Sequence, residues 1–288
     1  MISYLKIGLL MATLTGLLVA IGGYFGGTSW AIGAFALAAV MNVASLWFSD
    51  RAVLAMYGAR KVGPEEAPEL YAMVDELRRK AGMPMPVVAI APQAQPNAFA
   101  TGRSPKHAVV CATAGLLRMM NKAELRAILG HELAHVKHRD MLVSTVAATL
   151  AGAIVLLARM AFFMGHGRDR GPLGAVGALL LVVLAPLAAM LIQLAVTRTG
   201  EFRADRAGAE LTGQPEDLAR ALRKLERGAE ELPMDVSPAA AHLCIVNPLR
   251  GDLVSGIAGL FRTHPPTEER VKRLERLARE GSVRAARW

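Results

Sequence analysis

Three residues with the spacing H-E-x-x-H carry the clearest chemistry in the sequence: His131, Glu132 and His135. They lie in residues 121–139, where Asn121 followed by a glutamate three positions later predicts a helix N-cap with a capping box. Residues four apart project from one face of a helix, so both imidazoles can bind one metal ion. Two imidazoles and a carboxylate that removes a proton from the attacking water are what a zinc hydrolase requires. The alternative is a helix whose polar residues are only solvated.

Two histidines do not complete a zinc site, because catalytic zinc usually has three protein ligands. The pattern that supplies a third histidine shortly after H-E-x-x-H is absent, since the sequence has His138 and Met141 at the positions concerned. Residues 199–209 offer E-x-x-x-D instead: on a helix, Glu201 could bind zinc while Asp205 accepts the outer N–H of a ligand histidine. An exposed carboxylate pair among arginines is favoured for this stretch alone, but H-E-x-x-H reverses that preference. We therefore expect one Zn²⁺ per chain.

The elements that must position these residues include long apolar segments. A hydrophobic fraction of 53% and a mean hydropathy of +0.34 are high for a soluble globular protein. Four apolar runs each approach the roughly 20 residues that cross a bilayer, at about 7–24, 30–48, 141–164 and 173–196. We predict four transmembrane helices: an N-terminal hairpin in residues 1–50 and a second pair in residues 141–197. For the second pair, a half-buried hairpin against the catalytic domain is the alternative.

The charge distribution predicts an orientation and a kind of surface. The turn at residues 22–29 is uncharged, whereas Arg51, Arg60 and Lys61 follow the second run, so the positive-inside rule places the chain from Gly63 onward in the cytoplasm. The net charge of +9 could indicate nucleic-acid binding. However, the basic residues are spread along amphipathic helices without interleaved aromatics, so we expect contact with a lipid bilayer and no nucleic-acid partner.

The soluble parts, residues 51–140 and 198–288, contain two predicted strands at about 87–91 and 107–112. Between these strands, Asn97, Ala98 and Phe99 could form an edge strand that pairs with an extended substrate; an ordinary turn is an equally good interpretation. The two cysteines have no metal-binding spacing, and we expect free, buried thiols.

Several motifs occur together in a fixed order: PNAFATG, GHELAHVKHRD, EFRAD, AAHLCIVNPL and THPPTEER. With the apolar runs, they make the chain resemble the HtpX family of membrane-embedded zinc endopeptidases over nearly its whole length. The resemblance implies a mainly α integral membrane protein with a zincin-like α+β protease domain carrying a small sheet. It implies a multi-pass protease of the bacterial inner membrane whose catalytic domain faces the cytoplasm and which degrades damaged or misfolded proteins, mainly membrane proteins.

The resemblance also implies roles for particular residues. It makes His131, His135 and Glu201 the zinc ligands and Glu132 the general base. A histidine or arginine near the last helix of similar peptidases stabilises the oxyanion, which nominates His264 and, less directly, Arg270. One departure is Gly200, where similar proteins commonly have a basic residue.

Two other functions are compatible with the same motifs. One is a site-specific processing protease of the membrane, such as those that trim prenylated C-termini, although such enzymes have a larger set of membrane helices. The other is a membrane adaptor that retains a zinc site without activity. The oligomeric state is not indicated by the sequence.

Overall fold

The computed structural model describes residues 2–147, 150, 198–231, 244–245 and 265–285. Its helices are α1 (Ile2–Met56), α2 (Pro68–Ala81), α3 (Ala114–Met119), α4 (Lys122–His138), α5 (Arg198–Thr212), α6 (Pro215–Glu231) and α7 (Thr267–Ala285). Its strands are β1 (Arg60–Val62), β2 (Val87–Ala91), β3 (Ala98–Gly102) and β4 (Ala108–Thr113). A mainly helical chain with a small sheet is therefore confirmed.

The N-terminal helix α1 is two helices joined at Gly27, which has φ 68° and ψ −159°. Glycine adopts such a conformation without the steric cost that a Cβ would bring. The two halves fold back on each other, since Asn42 Nδ2 donates to Thr15 Oγ1 at 3.0 Å. The second half continues to Met56, six residues beyond the predicted end of the hairpin.

Both halves of α1 are long and apolar enough to cross a membrane. Their outward surface exposes large apolar side chains, among them Leu9, Trp30, Phe35, Val40 and Trp47. Large exposed apolar side chains on long apolar helices are typical of contact with lipid. Of the third predicted run, residues 141–147 are described and helical; the rest of it, apart from residue 150, and the whole fourth run lie outside the described residues.

The sheet has the strand order β1-β2-β4-β3, with β2 and β4 parallel and the other pairs antiparallel. The predicted strands β2 and β4 are confirmed, and the segment that could have been a turn is the edge strand β3. Strand β1 was not predicted, because three residues of sequence R-K-V show no alternation long enough to recognise.

Strand β3 lies beside the end of α1 and beside the start of the third apolar run. The Arg103 guanidinium, just after β3, stacks 4.7 Å from the ring centroid of Trp47 near the end of α1. Thr101 Oγ1 is 3.1 Å from the hydroxyl of Thr145, in the helical start of the third apolar run. The edge of the sheet is thereby flanked by two apolar segments.

Helix α4 is the centre of the soluble core. It begins with the predicted capping box: Asn121 Oδ1 accepts from Glu124 N–H, and the Glu124 carboxylate accepts from Asn121 N–H. It packs against the sheet, α2, α5 and α6, so apolar and polar residues are buried around nearly its whole circumference. It ends at Arg139, whose left-handed conformation (φ 61°) turns the chain back.

Helices α4 and α5 cross in close contact through two glycines. A Cβ at Gly208 would lie 2.7 Å from the backbone nitrogen of His131, and one at Gly130 would lie 3.0 Å from Thr212 Cγ2. Any larger residue at Gly208 would therefore press on the backbone of the H-E-x-x-H helix. This crossing brings α5 alongside His131.

Candidate metal centre

The side chains of His131, His135 and Glu201 converge where α4 and α5 meet. The two histidine Nε2 atoms are 3.2 Å apart. The Glu201 carboxylate oxygens lie 3.4 Å from His135 Nε2 and 3.8 Å from His131 Nε2. Among the described residues, this is the group of three His, Cys, Asp or Glu side chains whose donor atoms all lie within 4.8 Å of one another.

This donor set fits zinc in both chemistry and spacing. Two nitrogens that each bind a tetrahedral zinc ion at about 2.0–2.1 Å stand about 3.3 Å apart, close to the spacing seen here. Burial lowers the pKa of His135, but its contacts with Asp140 and Glu201 outweigh that effect and raise the pKa to about 10. The surroundings of His135 therefore favour positive charge at this point.

Glu132 is buried beside the two imidazoles and outside the ligand set. Burial raises the pKa of its carboxyl group; the neighbouring histidines partly oppose that increase, and the charge of Glu201 adds to it. The backbone N–H of Ala100 in β3 donates to the carboxylate. The general-base candidate is thus held between the candidate metal ligands and the edge strand.

The Asp205 carboxylate contacts the outer ring nitrogen of His131, and Arg270 holds that carboxylate. Asp205 Oδ1 is 3.0 Å from His131 Nδ1, as the E-x-x-x-D spacing predicted. Arg270 of α7 is 1% exposed and donates from Nη2 and Nε to the two Asp205 oxygens at 2.6 and 2.8 Å. Burial raises the pKa of Asp205, but the charge of Arg270 outweighs it and lowers the pKa to about 2.

The resemblance nominated Arg270 as an oxyanion-stabilising group, and that role stays a prediction; the Nη2 atom of Arg270 lies 3.4 Å from His131 Nε2. Its guanidinium also approaches Glu201 at 3.4 Å and donates to the backbone oxygen of Ile245 at 3.3 Å. A group engaged in this way anchors α7 and Asp205 to the metal centre. His264, the other nominee, lies outside the described residues.

The residues predicted to bind substrate differ in the direction that their backbone N–H and C=O groups face. Asn97 O accepts from Thr113 N–H in β4, and Asn97 Oδ1 accepts from the N–H of Ile245. Phe99 is buried with its ring centroid 4.5 Å from that of Tyr57. Because backbone groups alternate along an antiparallel strand, those of Asn97 and Phe99 face β4 and those of Ala98 and Ala100 face the opposite edge. That edge pairs with no further strand among the described residues, although all five residues of β3 are buried.

Comparison with known proteins decides the family. The sequence profile of peptidase family M48 matches residues 64–278. The chain belongs to peptidase family M48. A protein named Protease HtpX homolog from Gemmatimonas aurantiaca is 53% identical over 275 residues, covering 95% of this chain and 99% of the relative. Another of the same name from Thermococcus kodakarensis is 52% identical, covering 98% of this chain and 99% of the relative.

A solved structure, that of Ste24p from S. mikatae, aligns with 95% of this chain at 19% identity and a TM-score of 0.49, and this chain spans 65% of that structure's length. Membership of family M48 and the HtpX relatives confirm the predicted enzyme class, a membrane-bound metalloprotease. The same two findings confirm that the enzyme requires a metal and that it acts on protein substrates.

Sequence reasoning missed Asp140 and Arg203 at this M48 site. Asp140 Oδ2 lies 3.6 Å from His135 Nδ1, and Arg203 Nη2 donates to both Asp140 oxygens at 2.8 and 2.9 Å. Asp140 follows the left-handed turn at Arg139, so no helical spacing relates it to His135. The ending H-R-D after the motif was visible only as part of the family resemblance.

Proposed function

We propose that this M48 protein is a zinc endopeptidase in which His131, His135 and Glu201 hold the metal and Glu132 is the general base. The observation that carries the proposal is the convergence of two imidazole nitrogens 3.2 Å apart on one carboxylate, with Glu132 buried beside them. Zinc bound there would act as a Lewis acid on water and on the scissile carbonyl.

The chain's own residues perform the proton transfers. Glu132 accepts a proton from the attacking water and passes it to the leaving amine nitrogen. Burial is the first cause of the raised pKa of the Glu132 carboxyl group, and the neighbouring histidines oppose it. The N–H of Ala100 fixes the carboxylate in place during both steps.

The edge of β3 that faces away from β4 is the proposed substrate-binding element; because β3 is buried, its covering must move aside for a substrate to pair there. The outward backbone groups of Ala98, and the carbonyl of Ala100, can pair with an extended peptide as an added strand. Asn97 and Phe99 shape this edge from inside: Asn97 bonds to Ile245, and Phe99 packs against Tyr57. We retain Asn97, Ala98 and Phe99 as the binding segment, in which the backbone of Ala98, a residue buried in this structure, would pair with the substrate.

The location of β3 supports membrane proteins as the preferred substrates. The strand is flanked by Trp47, at the end of the hairpin, and Thr145, in the third apolar run. A damaged or misfolded segment emerging from the bilayer would meet this edge first. We further propose that residues 51–140 and 198–288 form one catalytic domain on the cytoplasmic face of a bacterial inner membrane, with residues 141–197 spanning it.

The test uses the full chain purified in detergent, with zinc content and casein digestion as the two measurements. We expect one zinc per chain, cleavage that a chelator abolishes, and recovery on adding zinc. Glu132→Gln should keep the metal and lose cleavage, whereas His135→Ala should lose the metal. Zinc binding without cleavage by the wild type would favour the adaptor function, and preserved turnover by Glu132→Gln would reject the role of the base.

A further inference from the structure

The side chain of Asp140 approaches the metal-ligand His135 from the side away from the metal. The Nε2 atom of His135 faces His131, and its opposite ring nitrogen, Nδ1, is 3.6 Å from Asp140 Oδ2. Arg203 of α5 donates to both oxygens of this carboxylate at 2.8 and 2.9 Å. The three side chains therefore form a row of imidazole, carboxylate and guanidinium.

The same row exists behind the other histidine. His131 Nδ1 is 3.0 Å from Asp205 Oδ1, and Arg270 Nη2 is 2.6 Å from that same oxygen. The two rows differ in burial, because the Arg270 side chain is 2% exposed and the Arg203 side chain is 49% exposed. Each ligand histidine thus has a negative charge on its outer nitrogen, and each carboxylate is held by an arginine from another helix.

The backbone at the end of α4 places Asp140 where it is. Among the described residues, Arg139 is the non-glycine residue with a positive φ, and its N–H donates to the carbonyl of Val136 at 3.1 Å. A left-handed conformation costs an L-residue about 1 kcal/mol or more, so this helix end carries a conformational cost that a glycine at the same position would avoid. Its effect is to return Asp140 to the side of His135.

We propose that Asp140, held by Arg203, positions His135 for metal binding, and that it does for His135 what Asp205 does for His131. A carboxylate at Nδ1 favours the tautomer whose Nε2 lone pair faces the metal and makes the imidazole a stronger ligand. Arg203 lies two residues after Glu201, so the same pair ties the helix carrying Glu201 to the end of the helix carrying both histidines. The inference rests on the proposed function, since it takes His135 as a ligand.

Asp140→Asn tests the carboxylate, because it keeps the size of the side chain and removes its charge. Zinc affinity is measured by competition with a chromophoric chelator on the full chain in detergent, and Co²⁺ substitution gives the ligand-field spectrum. We expect Asp140→Asn to weaken zinc binding about 10-fold to 100-fold and to shift the Co²⁺ spectrum. Asp75→Asn is the matched control: Asp75 is 24% exposed against 23% for Asp140, and it pairs with two arginines on α2, away from the metal. That control should not change either measurement.

Arg203→Gln tests the ion pair between Arg203 and Asp140, and it carries a smaller risk to folding because the Arg203 side chain is half exposed. We expect zinc affinity to fall at least about threefold, and the double variant with Asp140→Asn to lose no more than Asp140→Asn alone, because the two residues act as one unit. The control is Arg206→Gln, which removes an exposed ion pair with Glu210 on the same helix. Zinc affinity unchanged in folded Asp140→Asn, or unchanged in Arg203→Gln, overturns the inference.

His135→Ala separates this failure from failure of the proposed function. If the wild type binds zinc and His135→Ala does not, the metal site is correct and the result for Asp140 can be judged alone. If His135→Ala binds zinc as tightly as the wild type, the metal site and the inference fall together.

Discussion

The close crossing of α4 and α5 gives a sharp prediction for Gly208→Ala. The added Cβ would lie 2.7 Å from His131 N and 2.9 Å from His131 Cα, about 0.7 Å inside the 3.4 Å at which ordinary contact begins. The atoms it meets belong to a helix backbone, which cannot rotate away as a side chain can. The two helices must therefore separate by a distance of that order.

Two opposing effects set the magnitude. Alanine is favoured over glycine inside a helix by about 1 kcal/mol, whereas overpacking a tight contact costs about 1–3 kcal/mol. The net loss of unfolding free energy should be about 1 kcal/mol. The metal site is more sensitive, because zinc–ligand distances hold to about 0.2 Å and the shift separates Glu201 from the histidines. We expect zinc affinity to fall by at least about tenfold, in line with loss of ligand orientation.

The assay compares Gly208→Ala with Gly281→Ala in detergent. Gly281 lies inside α7, and a Cβ there meets nothing within 4 Å, so this control should gain about 0.5–1 kcal/mol from helix propensity alone. Chemical denaturation and chelator competition are measured for both variants. If Gly208→Ala is as stable as Gly281→Ala and binds zinc like the wild type, the close approach of the helices does not position the ligands.

Three further predictions concern buried groups. Arg270→Gln leaves its carboxylate partner buried without a counter-charge, so denaturation should show a loss of about 3–5 kcal/mol and zinc should bind more weakly; a fall in kcat alone would favour an oxyanion role. Burial raises the pKa of Cys111 and of Cys244 to about 12, so neither thiol of the folded protein should be alkylated at pH 8, and mass spectrometry should find both modified in denaturant. Asn97→Ala removes the acceptor of the Ile245 N–H and should cost about 1–3 kcal/mol; unchanged stability with a raised KM would instead indicate direct substrate contact.

The parts of the site that depend on residues close together in the sequence could be predicted. The capping box at Asn121 and the common face of His131 and His135 follow from helical geometry alone, and the structure has both. The contact between Asp205 and His131 followed from pairing two helical motifs, because one carboxylate must serve as a ligand and the other can support a histidine.

The parts that depend on tertiary packing could not be predicted. Asp140 reaches His135 only through a left-handed turn at Arg139, a residue type that gives no signal for such a conformation. Arg203 belongs to an arginine-rich stretch, and an arginine in such a stretch is most simply interpreted as a solvated surface residue. The contact between Arg270 and Asp205 was not predicted for a related reason: the burial of Arg270 against Asp205 depends on how α7 docks, which no local pattern encodes.

The charges buried at the crossing argue for a divalent cation at this place. Glu132, Glu201 and Asp205 are each at most 5% exposed, and the guanidinium of Arg270 is buried with them. Three carboxylates and one guanidinium leave two negative charges if all are ionised, and burying such an excess without compensation is costly. A doubly charged ion held by two neutral imidazoles and one of these carboxylates balances the sum. The same burial raises the pKa of the Glu132 carboxyl group, and a divalent cation held beside it would oppose that increase by stabilising the carboxylate.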